Sequence, residues 1–157
     1  MKRYFPLALL TLLTACSNFD KNKADKSYFT TWEHYLGDPE RTHYSNLNQI
    51  DTANVSQLKL AWSYKSGGLQ EGRTTQIQTS PLMVDGVLYG VNAAIELFAL
   101  DATTGKEIWK FSPKNKDESG LGLNRGLNYW NSDGEHPGRI FFSSGPKLYA
   151  VDIITGE

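Results

Sequence analysis

The chain has 157 residues, 39% hydrophobic and 12% aromatic, with 14 glycines, one cysteine and a formal net charge of −1. That balance excludes the usual nucleic-acid binder, which sets clustered Lys and Arg against phosphates, and a single cysteine excludes an intrachain disulfide framework or a multi-cysteine zinc site. The composition is neither disordered nor collagenous, and the length suits one domain of ordinary size.

The N-terminus reads as an address. Lys2 and Arg3 precede an apolar run, Leu7–Leu13, that is too short to span a bilayer. The run ends in Leu13-Thr14-Ala15-Cys16, which resembles the bacterial lipoprotein signal. Residues 1–15 are therefore expected to be removed, leaving the Cys16 thiol for a diacylglycerol anchor. An ordinary secretory signal with an incidental cysteine is the alternative. Removing the signal takes Lys2 and Arg3 and no acids, so the net charge falls from −1 to −3. Residues 16–27 are polar and read as a flexible tether. Ser17 after the cysteine favours the outer membrane, so the predicted location is the periplasm, on a lipid anchor.

From Tyr28 onward the signal is β. Asp51–Leu58 is consistent with one helical turn capped by Asp51 or Thr52. Leu58–Tyr64 reads as a strand. Ser80–Val91 splits at Asp85-Gly86 into a hairpin, since that dipeptide between apolar runs suits a tight turn. Strands are predicted over Glu96–Asp101 and Glu107–Phe111, then over Arg139–Ser143 and Lys147–Asp152 with Ser144-Gly145-Pro146 between them. Tyr129 and Trp130 are expected in the core.

The segment LFALDATTGK at Leu97–Lys106 recurs as LYAVDIITGE at Leu148–Glu157, 51 residues later, and Trp62 stands 47 residues before Trp109. A period near 50 with about four short strands per unit is the mark of a β-propeller, whose blades stack because one sheet cannot bury both its faces alone. The expected fold is all-β, a partial propeller over residues 28–157. In this scheme Asp101 bonds the amides of the turn that follows, Gly105 supplies a backbone shape hostile to a Cβ, and Trp62 and Trp109 dock against a neighbouring blade. All four are structural assignments.

ALDATTGKEIW resembles the tryptophan-docking motif of the pyrroloquinoline quinone (PQQ) dehydrogenases of the glucose and alcohol type, which are eight-bladed propellers. The similarity extends to the opening segment Thr31–Tyr64 and to two stretches that line the family's cofactor pocket, Gln78–Val91 and Asn124–Trp130. The resemblance implies that Arg125 is the pocket arginine, a planar fork for a carboxylate of the cofactor, and that Gly126 permits the backbone turn beside it. It places Gln78 where many members carry glutamate, which loses a charge and keeps an amide able to hydrogen-bond the cofactor. Alcohol-oxidising members often carry two adjacent cysteines before the arginine; here the matching pair is Ser119-Gly120, which favours the glucose-type branch. That branch often has a histidine four residues before the arginine, and this chain has Leu121.

The resemblance further implies oxidation of a sugar or alcohol, a bound Ca²⁺, an aspartate general base, and a quinone or cytochrome as electron acceptor. The base and the metal ligands are expected beyond Glu157, so the chain is read as a truncated part of a longer enzyme, inactive alone, with neither catalytic nor metal-binding residues of its own. His34, His43 and His136 show no metal-ligand spacing. Two other readings stand beside this one. The first is a non-catalytic propeller lipoprotein scaffold of outer-membrane protein assembly, which shares the lipobox and ALDATTGKEIW-like repeats. The second is a short binding module.

Overall fold

The computed structural model describes residues 31–69, 76–113 and 123–157. The signal segment, Cys16, the tether and the Ser119–Leu121 stretch lie outside the described residues. Four strands, β1 (Leu82–Val84), β2 (Val87–Val91), β3 (Leu97–Asp101) and β4 (Glu107–Phe111), form one antiparallel sheet in chain order. A second antiparallel sheet holds β5 (Asn128–Trp130), β6 (Arg139–Ser144) and β7 (Lys147–Asp152). This is the all-β, part-propeller architecture that the repeat predicts.

Local chemistry explains the connections. Asp85 and Gly86 both take positive φ, +47° and +78°, as a two-residue turn matched to strand twist requires. The β6–β7 turn is tighter than predicted, because Ser144 stays in β6 and pairs with Lys147. After β3, the Asp101 carboxylate accepts hydrogen bonds from the Thr104 amide at 2.7 Å and the Thr104 hydroxyl at 2.8 Å. After β7, Asp152 accepts from the amides of Ile154 and Thr155 at 2.7 and 2.9 Å. The two aspartates thus close equivalent turns 51 residues apart.

Strand alternation sets the packing. On one face of the first sheet Leu97 and Ala99 join Tyr89, Val91 and Leu82 in a core that also takes Leu127, Ile140, Phe142 and Val151 from the second unit. Tyr89, Ala99 and Trp109 are neighbours in register across three strands. The small Ala99 between them lets the Tyr89 and Trp109 rings approach to 5.8 Å between centroids. Phe111 meets Phe142 at 6.0 Å, edge to face, and Tyr149 at 5.5 Å. The other face of β3 carries Phe98, covered by Tyr64 at 5.1 Å.

Two tryptophans repeat one set of contacts. The Trp62 indole NH donates to the Ala102 carbonyl at 3.0 Å, and a Cβ on Gly105 would lie 2.4 Å from its ring. The Trp109 indole NH donates to the Ile153 carbonyl at 3.1 Å, and a Cβ on Gly156 would lie 2.8 Å from its ring. Each ring therefore lies flush on the bare backbone of a glycine with φ near +70°, +70° at Gly105 and +75° at Gly156.

Three expectations are corrected. Leu58–Tyr64 is not a strand, because among the described residues its backbone has no ladder partner and its order comes from side chains such as Trp62. The helical turn is a short 3₁₀ segment, Val55–Gln57, with Asn54 at its N-cap position. Asp51 instead fastens the turn before it, accepting from the amides of Ala53 at 2.8 Å and Asn54 at 3.1 Å. Trp130 is 39% exposed, since the short β5 sends it away from the core, while Tyr129 packs partly buried against that core. β5 itself was not legible, as three residues cannot show a period.

Candidate functional site

The segments leading into β1 and β5 run side by side. Ser80 and Gly126 form a parallel bridge, and the Ser80 amide donates to the Arg125 carbonyl at 3.4 Å. The Thr79 hydroxyl donates to the Asn124 carbonyl at 2.7 Å. Asn124 is 6% exposed and its amide side chain is the local clamp. Its Oδ1 accepts from the Gly126 amide at 3.1 Å, and its Nδ2 donates to the Ser143 carbonyl on β6 at 3.0 Å. A buried amide so satisfied holds the backbone on both sides of Arg125.

The sequence-predicted cofactor residues sit on these two segments. Arg125 and Gln78 are both exposed. Among the described residues no ion pair engages the Arg125 guanidinium. Gln78 Nε2 donates to Gln76 Oε1 at 2.8 Å. Gly126 is there for a different reason from the one the sequence suggests. It does not take a left-handed φ; a Cβ at this position would lie 2.6 Å from Cδ2 of Tyr35. The glycine is required by a ring, not by a turn.

Tyr35 and Asn124 are the residues that sequence reasoning missed. Asn124 had a faint signal in Asn-x-Gly, a pattern whose side chain caps its own turn. Tyr35 had none, since it meets Gly126 across 91 positions of sequence.

Three aspartates are committed to turns elsewhere. Asp101 and Asp152 are held below the ordinary carboxylate value, Asp101 chiefly by the Thr104 hydroxyl and Asp152 chiefly by the Thr155 amide. Asp133 is pulled down to about 2, first by the His136 amide and then by the His136 ring. Among the described residues no group of three or more His, Cys, Asp or Glu side chains is placed to hold a metal ion. What the two segments offer is one exposed planar cation, without an ion pair among the described residues, and one exposed neutral amide, both of them donors suited to carboxylate and carbonyl oxygens.

Residues 32–157 match the family model described as "PQQ: Glucose/ethanol/alcohol dehydrogenase, beta-propeller domain". The chain is 37% identical over 134 residues to an "Alcohol dehydrogenase (quinone), dehydrogenase subunit" of Gluconobacter oxydans (strain 621H), covering 80% of this chain and 16% of that protein. It is 36% identical over 108 residues to "Quinoprotein glucose dehydrogenase A" of Acinetobacter calcoaceticus, covering 65% of this chain and 13% of that one. Among solved structures, the quinohemoprotein alcohol dehydrogenase of Comamonas testosteroni superposes with a TM-score of 0.70 at 29% identity, over 85% of this chain and 19% of the other. The chain thus spans about one sixth of the length of such relatives (16% for the first of them). With the four-stranded sheet, the 51-residue repeat and these matches together, the chain belongs to the PQQ-dependent glucose/ethanol/alcohol dehydrogenase family and forms part of its β-propeller.

Proposed function

We propose that this chain contributes cofactor-contacting residues to a PQQ-dependent dehydrogenase that oxidises a sugar or an alcohol and passes the electrons to a quinone or a cytochrome. The observation that carries the reading is the pairing of the Gln78 and Arg125 segments through Ser80 and Gly126, with both side chains exposed and, among the described residues, no ion pair on the Arg125 guanidinium. Arg125 offers its fork to a carboxylate of PQQ, and Gln78 offers an amide to a carboxylate or carbonyl oxygen. Asn124 fixes the backbone that presents Arg125, so the ordering left for binding is that of the Arg125 side chain. When bound, PQQ supplies the two-electron acceptor for oxidation of a CH–OH carbon. The Ca²⁺ ligands and the general base are assigned to parts of the enzyme other than the described residues.

Two observations bear on the substrate. The chain has no pair of adjacent cysteines, which supports the glucose-type reading. The relatives include both an alcohol and a glucose dehydrogenase at nearly equal identity, 37% and 36%. The proposal therefore covers both classes of CH–OH substrate.

Titration of the whole protein with PQQ, followed by the cofactor's absorbance, tests the reading. Arg125→Ala is expected to weaken binding by about tenfold or more, the loss that goes with one hydrogen bond to a charged group. Unchanged affinity removes Arg125 from the cofactor site.

A further inference from the structure

The opening segment reaches Gly126, beside Arg125, with the Tyr35 side chain. The backbone of Trp32 pairs with Met83 of β1, accepting from the Met83 amide at 2.9 Å and donating to the Met83 carbonyl at 3.4 Å. The chain then reverses at His34–Gly37, where the Gly37 amide donates to the His34 carbonyl at 3.0 Å. Gly37, at φ +109°, packs under the Trp32 ring, which a Cβ there would approach to 3.2 Å. Tyr35 sits inside this reversal.

The far side of the reversal is fixed as firmly. Asp38 is 1% exposed, and its carboxylate accepts from the Thr42 amide at 3.1 Å and from the Thr42 hydroxyl. Arg41 is held at φ +59°, an uncommon conformation for a residue with a Cβ, by its amide donating to the Asp38 carbonyl at 3.0 Å. Its guanidinium carbon lies 5.9 Å from the centroid of the Tyr35 ring. The Arg41 guanidinium thus flanks the ring that lies on Gly126.

We propose that Tyr35 is a positioning residue for Arg125: its ring, anchored to β1 through Trp32, presses on the Gly126 backbone and fixes the direction in which the Arg125 guanidinium is presented. The inference rests on the reading of Arg125 as a cofactor contact. Gly126 is gripped on three sides, by Asn124 Oδ1, by the bridge to Ser80 and by Tyr35. Removing the ring frees one side and lets the residue beside it sample other directions. The atoms nearest a Cβ on Gly126 are ring carbons, Cδ2, Cε2 and Cγ, so the positioning role is assigned to the ring and not to the hydroxyl.

A double-mutant cycle in the whole protein, read by equilibrium PQQ titration and by thermal melting without PQQ, tests this. Tyr35→Ala is expected to weaken PQQ binding about tenfold, Tyr35→Phe by less than about twofold, and Tyr35→Ala in the Arg125→Ala background to add nothing further. A merely structural tyrosine gives losses that multiply across the two backgrounds, and that result overturns the inference, as does unchanged affinity for Tyr35→Ala. If Arg125→Ala alone leaves binding unchanged, the cofactor reading of Arg125 has failed, an outcome distinct from failure of the Tyr35 coupling. Should Tyr35→Ala not fold, Tyr35→Leu retains apolar bulk without a flat ring. It is expected to weaken binding only when Arg125 is present; equal weakening in both backgrounds overturns the inference.

Discussion

At the scale of single residues, glycines separate two physical demands that sequence cannot distinguish. Gly86 and Gly105 both have positive φ, +78° and +70°. A Cβ at Gly86 meets nothing within 4 Å, whereas one at Gly105 would lie 2.4 Å from the Trp62 ring. Gly86→Ala is therefore expected to cost only the left-handed strain, about 1–2 kcal/mol. Gly105→Ala adds an overpacking term of about 1–3 kcal/mol, because the indole must leave its seat. Chemical denaturation of the two variants checks the order; equal costs contradict the packing role of Trp62. Both turns were legible in the sequence because turn chemistry is local. The ring over Gly105 was only partly so: the repeat pairs Trp62 with Trp109, and nothing in the sequence says which glycine either one covers.

At the scale of elements, aromatic side chains from β2, β4, β6 and β7 join the aliphatic core between the sheets, and among them Tyr89 is a buried tyrosine. That phenol donates to the Ile153 carbonyl at 3.3 Å, and burial pushes its pKa from 10.0 up to about 12. The folded state thus keeps a proton that the unfolded chain releases as pH rises from about 10 towards 12. Stability falls through that window. Tyr64 and Tyr129 are raised as well, chiefly by burial, so the slope is shared. Tyr89→Phe is expected to flatten the alkaline loss of denaturation midpoint between about pH 10 and pH 12, and an unchanged slope contradicts the assignment. The strands on either side of this interface were legible from alternation and turn residues over five or six positions. Leu58–Tyr64 misled for the opposite reason: it carries β-forming residues, but a strand exists only where a partner backbone accepts its hydrogen bonds.

At the scale of the whole molecule, the two sheets are successive units of one repeat, each closed by an Asp-initiated turn and each covered by a tryptophan from the preceding stretch of chain. Units coupled only to their neighbours form a stack that grows by addition. The proposed membrane attachment also belongs to this scale, because it concerns where the stack is held and not how it is built. Acylation at Cys16 is supported by Leu13-Thr14-Ala15-Cys16 and by the absence of any other cysteine. Cys16→Ser is expected to move the protein from the membrane to the soluble periplasmic fraction. Continued sedimentation with membranes after that substitution contradicts a lipid anchor at this residue.

The sequence by itself determined the β class, the blade-length repeat, most strand limits and the family, because each is written in neighbouring residues or in a motif that recurs at a fixed interval. It also singled out Gln78 and Arg125 as candidates. Only the tertiary structure decided that their segments lie in parallel contact, that Asn124 clamps them, that Gly126 is a seat for Tyr35, and that Trp130 faces outward. Those facts depend on backbone brought together across long separations, from Thr79 to Asn124 and from Tyr35 to Gly126. Such contacts are set by how the sheets and the segments between them stack against one another, and no pattern within a single strand encodes that.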